Sequence, residues 1–165
     1  MQTATENDVM HVSDHYESVI ACQQSVLLFY YALDRGEYPL AMAQVAPDCQ
    51  WERGGAMLRG RQQIEDSLRN RPVTQVARHT VQNFAVLRGE AQRATAVYSL
   101  CVHLYDDGSP ASLPVPGSTP FLLADVTCEL GLEADNAWRI RRLDIQRIFS
   151  YSREVIHPLA APKQG

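Results

Sequence analysis

Residues 92–105 alternate with the period of a β-strand, and both resulting faces are partly apolar. Ala94, Ala96, Tyr98, Leu100, Val102 and Leu104 fall on one side, while Val97, Cys101 and Tyr105 join Thr95, Ser99 and His103 on the other. Successive side chains of a strand point to opposite faces. A strand apolar on both faces has to be covered on both. The chain is therefore expected to lay helices over one side of a sheet and a second subunit over the other. The partner expectation is a homodimer packed through the sheets, with a trimer as the alternative.

Three further stretches read as strands. Residues 76–88 end at the tight turn Arg88-Gly89-Glu90. Residues 121–132 alternate Leu122, Ala124, Val126, Cys128 and Leu130 with Asp125, Thr127 and Glu129. Residues 137–149 change phase: Trp138 and Ile140 share one face, and Leu143, Ile145 and Phe149 the other. One extra residue near Arg141-Arg142, a β-bulge, would restore a continuous apolar face. Between the second and third of these four strands lies a loop, 106–120, with Pro110, Pro114, Pro116 and Pro120. It and the tail are the candidate covers of a cavity mouth.

The N-terminal part is helical. Tyr16, Val19, Ile20, Val26, Leu27, Tyr30 and Leu33 recur mostly in steps of three and four, the period of a helix with one buried face. This helix is expected over 14–35, ended by Gly36. A short helix with Pro39 in its first turn is ended by Pro47. Cys49 to Arg53 read as a strand, and Gly60 opens a helix over 61–70. Helices followed by long, mostly hairpin-connected strands make an α+β layout. A strongly curved, mixed or antiparallel sheet wrapped over three helices is cone-shaped and leaves a cavity for a small apolar molecule. The expected organisation is an arm (1–12), one domain (13–150) and a tail (151–165).

Composition excludes several classes. A net charge of −4 with pI near 5.7 offers no footprint for nucleic acid. No apolar run reaches the roughly 20 residues of a membrane span. The first residues lack the apolar segment of a secretory signal, and the four cysteines show no metal-ligand spacing, so a cytoplasmic protein with buried free thiols is expected. His11 and His15 are four apart but have no third ligand in view, so neither metal nor other cofactor is expected.

Asp34 carries the chemistry. It lies four residues after Tyr30, at the edge of the buried helix face. A carboxylate there needs a partner, and His79 is the best candidate. Tyr30, Tyr31 and Tyr98 either donate hydrogen bonds to a substrate oxygen or are core tyrosines. Trp51 is pocket wall or core. His103 reads as a satisfied histidine on the other sheet face.

Five segments together resemble a known family. They are Ala32-Leu33-Asp34-Arg35-Gly36-Glu37-Tyr38, Pro47-Asp48-Cys49-Gln50-Trp51-Glu52, Gly60-Arg61-Gln62-Gln63-Ile64-Glu65, Arg78-His79-x-x-x-Asn83 and Ala137-Trp138-Arg139-Ile140. Their order and spacing resemble the SnoaL-like branch of the nuclear-transport-factor-2-like superfamily, over roughly 14–150. The resemblance implies the cystatin-like α+β cone. It includes scytalone dehydratase, polyketide cyclases and a hexachlorocyclohexane dehydrochlorinase, and also noncatalytic β subunits of ring-hydroxylating dioxygenases. Fold alone does not choose among these. The dehydrochlorinase set of helix-end Asp, strand-opening His and Asn four residues on is similar to Asp34, His79 and Asn83. The expected function is a cofactor-free, dehydratase-like lyase or isomerase, with an Asp34–His79 dyad as general base on a small, apolar, cyclic substrate. A noncatalytic binding protein or dioxygenase partner subunit is the alternative. Arg142 and Arg147 are candidates, by location, for the cation that assists a leaving group.

Overall fold

The computed structural model describes residues 12–150 except Gly54, Ala91 and Ser118. The expected N-terminal arm, the side chains of His11 and His15, and the tail over 151–165 lie outside the described residues. The elements run α1 (Val12–Arg35), α2 (Tyr38–Ala43), β1 (Val45–Arg53), β2 (Ala56–Arg59), α3 (Gly60–Arg69), β3 (Val76–Glu90), β4 (Arg93–Tyr105), β5 (Leu122–Leu132) and β6 (Trp138–Ser150). The six strands form one sheet in the order β2-β1-β6-β5-β4-β3. Every neighbouring pair is antiparallel except β1 and β6, which are parallel. This is the α+β architecture with a mixed sheet that the pattern of helices and strands implies.

The core lies between α1 and α3 and one face of the sheet. Cys22, Val26, Phe29 and Leu33 of α1 join Ile64 and Leu68 of α3 and the inward residues of the strands in one buried cluster. On β4 the inward set is the even-numbered one, from Ala94 to Val102, and the odd-numbered set is half-buried. The buried face of α1 is narrower than expected. Tyr16, Ile20 and Leu27 are 59%, 45% and 40% exposed. The face that meets the sheet is centred on Cys22, Val26, Phe29 and Leu33, spaced four, three and four apart, and those three residues lie on the far side.

Bulges set the phase of the strands. Leu130 pairs with Ile140 but Glu129 with Arg142, so β6 bulges at Arg141, where the phase change placed an extra residue. A second bulge follows, since Ala124 pairs with Arg147 and Leu123 with Phe149. It turns Phe149 away from the face it was expected to share with Leu143 and Ile145. In β3, Gln82 pairs with Ser99 and Ala85 with Val97, leaving Asn83 and Phe84 opposite Tyr98. Asn83 takes φ of 54°. The left-handed region is one that Asn tolerates better than most residues, and an extra residue there shifts the strand's phase. Pro47 ends no helix: α2 stops at Ala43 and Pro47 sits inside β1. β2 pairs with β1 only from Gln50 onward, so Pro47 has no β2 neighbour that needs its missing N–H.

Candidate active site

The end of α1 positions Asp34. Gly36 adopts φ of +70°, its N–H donates to Leu33 O at 3.3 Å, and the N–H of Glu37 donates to Ala32 O at 3.0 Å. This pair of bonds is the Schellman close of a helix, and glycine is the residue suited to the left-handed position. Asp34 therefore stands in the last helical turn, where the helix dipole is negative and a carboxylate is disfavoured. Compensation comes from the neighbours. Arg78 Nη1 donates to Asp34 O at 3.1 Å, and Arg71 Nη1 to Leu33 O at 3.5 Å.

The carboxylate itself is held by β3. Oδ2 accepts the backbone N–H of His79 at 2.8 Å, and Oδ1 lies 2.6 Å from His79 Nδ1. Asp34 is 6% and His79 15% exposed at the side chain. An ionised carboxylate can only accept. Nδ1 thus carries a proton, and Nε2 is the nitrogen without a partner among the described residues. Tyr30 stacks on the imidazole, with ring centroids 5.2 Å apart and 28° between planes.

His79 faces a cavity of about 580 Å³, within the range of small-molecule pockets. Its inner wall is apolar, built from Leu33, Ala77, Leu100, Val102, Leu104 and Ile145. Tyr30, Trp51 and Phe121 supply aromatic surface, and Arg53, Arg71 and Arg147 supply charge. The indole Nε1 of Trp51 is buried without a hydrogen-bond partner.

The structure brings Asp34, His79, Tyr30 and Trp51 together; of the other expected site residues, Tyr31, Asn83 and Arg142 stand apart from them, and Tyr98 touches Tyr30 but lies off the cavity wall. Tyr31 is 49% exposed on the outer side of α1, with the Arg35 guanidinium 3.7 Å over its ring. Asn83 is exposed, because the left-handed bulge turns it off the face that carries His79. Arg142 is exposed and donates to Asp144 at 2.7 Å; the bulge at Arg141 places it opposite Glu129, away from the cavity. Tyr98 is buried behind Tyr30, their hydroxyls 3.1 Å apart, and does not line the cavity. Burial keeps both phenols protonated, raising each above the ordinary tyrosine range. Of the two candidate arginines for a leaving group, Arg142 and Arg147, Arg147 is the one at the cavity. Its guanidinium lies 6.0 Å from the Phe121 ring.

Among the lining residues that were not foreseen are Arg53 and Arg71. The signal for Arg53 was available, since it is two residues past Trp51 on one strand and so shares its face. Arg71 follows a helix end and gave no such signal. Loop 106–120 contributes no described residue to the cavity wall; Phe121, just beyond it, does. His103 is on the outer sheet face, its Nε2 3.9 Å from Cys101 Sγ. Among the described residues no cluster of metal-ligating side chains occurs, and no helix is long and apolar enough to cross a membrane.

Residues 14–144 match the SnoaL-like domain family. The chain belongs to that family. Solved structures agree in fold with the SnoaL-like assignment. A candidate scytalone dehydratase from Novosphingobium aromaticivorans superposes with a TM-score of 0.72 at 12% identity, over 88% of this chain and 93% of that one. A candidate aromatic ring hydroxylase from the same organism gives 0.70 at 15% identity, over 83% and 93%. ActVI-ORFA from Streptomyces coelicolor gives 0.66 at 14% identity, over 80% and 98%. No functionally curated protein matches the chain in sequence.

Proposed function

We propose that this SnoaL-like protein is a cofactor-free lyase or isomerase of the dehydratase kind, with His79 as general base and Asp34 as the group that orients it. The observation that carries the reading is the pair of bonds from one carboxylate to His79, at 2.6 Å to the ring and 2.8 Å to the backbone. They fix both the ring's position and its tautomer, leaving Nε2 able to accept a proton. An imidazole nitrogen with a free lone pair is the side-chain group most often used as a general base.

In a β-hydroxy ketone, Nε2 would take the proton from the carbon between carbonyl and hydroxyl-bearing carbon. The electron pair passes into the enolate, then forms the carbon–carbon double bond as hydroxide leaves. The departing oxygen takes up the proton held on Nε2, which restores the base, and the products are an enone and water. Asp34 holds the imidazolium formed in the first step through Nδ1–H. Arg147, which lines the cavity, is assigned the role of the cation that meets developing negative charge. Arg142 is not, since it stands outside with Asp144.

The test is turnover of a panel of cyclic β-hydroxy ketones, followed by ultraviolet absorbance of the enone. Wild type is expected to turn over at least one, and His79→Ala to lose roughly 10²–10⁴-fold, the usual share of general base catalysis. Equal rates in the two proteins would refute the role of His79. Binding detected as thermal stabilisation, without turnover of any panel member, would favour the noncatalytic binding reading instead.

A further inference from the structure

Two of the three arginines at the cavity have no role in the elimination proposed above. Arg53 and Arg71 both line the cavity, and none of the ion pairs among the described residues involves either one. Arg53 spends its Nη1 on Ser67, at 2.9 Å to Oγ and 3.4 Å to the carbonyl. Its Nη2 and Nε have no protein acceptor among the described residues. Arg71 spends only Nη1, on Leu33 O. A guanidinium has five N–H donors in a planar fork, so most of both forks is left over.

These two cations are also close enough to disfavour each other. The Arg53 guanidinium is held below the ordinary arginine range, first by burial and then by the charge of Arg71, with Tyr38 partly offsetting both. The carboxylates in the neighbourhood are elsewhere engaged or unengaged with this pair. Asp66, in the shallow groove behind, accepts from Gln62 at 3.0 Å, and Glu52 borders the cavity without an ion pair. Holding two like charges together at a half-buried wall is unfavourable unless an anion joins them. The indole N–H of Trp51, buried and unpaired in the same wall, is a third donor without an acceptor. The Arg53 guanidinium lies 5.8 Å from that indole ring, which fixes the fork beside an aromatic surface.

We propose that the ligand of this cavity is a ring-bearing carboxylic acid, its carboxylate gripped by Arg53 and Arg71 and its ring lying over the apolar wall toward His79. A planar carboxylate matches the planar forks of arginine, two bonds to a fork. The apolar wall of Leu100, Val102 and Ile145 takes the ring. The inference rests on the cavity being the substrate site proposed above. It adds a charged group to the small, mostly apolar, cyclic ligand expected from the sequence.

Isothermal titration of the full chain with 1-naphthoate and with its neutral methyl ester tests this. Naphthoate is expected to bind at least about tenfold more tightly than the ester, as loss of a charged hydrogen bond implies. Arg71→Gln is expected to weaken naphthoate by about tenfold or more and to leave the ester unchanged. Arg53→Gln should do the same; because it also loses the Ser67 bonds, Arg71→Gln decides if that variant fails to fold. Equal binding of acid and ester, or an Arg71→Gln protein that binds naphthoate as wild type does, overturns the proposal. Turnover of neutral ketones by a protein indifferent to naphthoate would sink the carboxylate site and spare the base. Naphthoate binding without turnover of any substrate would do the reverse.

Discussion

Asp34→Asn changes one atom and is expected to move a proton across the His79 ring. In the wild type, Oδ1 meets Nδ1 at 2.6 Å and Oδ2 meets the backbone N–H at 2.8 Å. A hydrogen bond to a charged group is worth about 1.5–3 kcal/mol. That biases the neutral ring toward the Nδ1–H form by roughly 10- to 150-fold. Asparagine offers one acceptor oxygen and one NH₂. The strand N–H of His79 has only this side chain to bond, so it claims the oxygen, and the NH₂ then faces Nδ1. Nδ1 must accept, and the proton moves to Nε2, with a preference of about 0.5–1.5 kcal/mol for a neutral bond. Nitrogen-15 correlation spectra of the histidine rings, taken near pH 8 so that an ordinary histidine is neutral, read this directly. Wild type should show a bare Nε2 and the variant a bare Nδ1. The fold should survive, losing about 1–3 kcal/mol. A wild-type ring protonated on Nε2, or a variant with an unchanged tautomer, would refute the reasoning.

Alkali should destabilise the protein early. Burial pushes the thiols of Cys22 and Cys49 up to about 12 and that of Cys128 well above its usual value, and it raises Tyr30 and Tyr98. Unfolded thiols ionise near 8.5 and phenols near 10, so above those values the unfolded chain sheds protons the native chain keeps. Stability is then full below about pH 8.5 and falls by about 1.4 kcal/mol per pH unit for each buried thiol, more steeply beyond pH 10, in urea titrations; a flat profile to pH 10 would contradict the burial. Phe29→Ala removes a fully buried ring from the α1 face of the core and should cost about 3–5 kcal/mol in the same assay. Gly131→Ala drives a methyl into the Arg141 side chain, which donates to Glu133 at 2.6 Å and to Asp48 at 3.1 Å; about 1–3 kcal/mol should be lost, and less if Arg141 is also Ala. Sedimentation at micromolar concentration should give a dimer if the half-buried outer face of β4 is an interface; a monomer would count against it.

The path from sequence to site was legible where a local pattern decided it. The apolar period of α1 and Gly36 fixed the end of that helix, and with it the place of Asp34. The phase change between Ile140 and Leu143 revealed the bulge at Arg141. An equivalent change was present in β3, where Val81 and Phe84 are three apart and both pack on the core; read that way, it removes Asn83 from the site. Tyr31 and Asp34 are three apart on a helix and so were natural neighbours, yet the buried arc of α1 is too narrow to include Tyr31. Arg53 and Arg71 meet only because β1 and the end of α3 border one cavity. Nothing within either segment announces that, since the pairing depends on how the sheet curves around the helices.

Solvent-deuterium exchange tests the base most directly, because it needs proton abstraction and no leaving group. A cyclic ketone that binds the cavity, incubated in D₂O with wild type or with His79→Gln, is followed by proton NMR at the carbon beside the carbonyl. The account predicts exchange above the buffer rate with wild type, reduced roughly 10²–10⁴-fold in His79→Gln. Equal exchange in the two proteins, or exchange no faster than buffer with a ketone shown to bind, would contradict it.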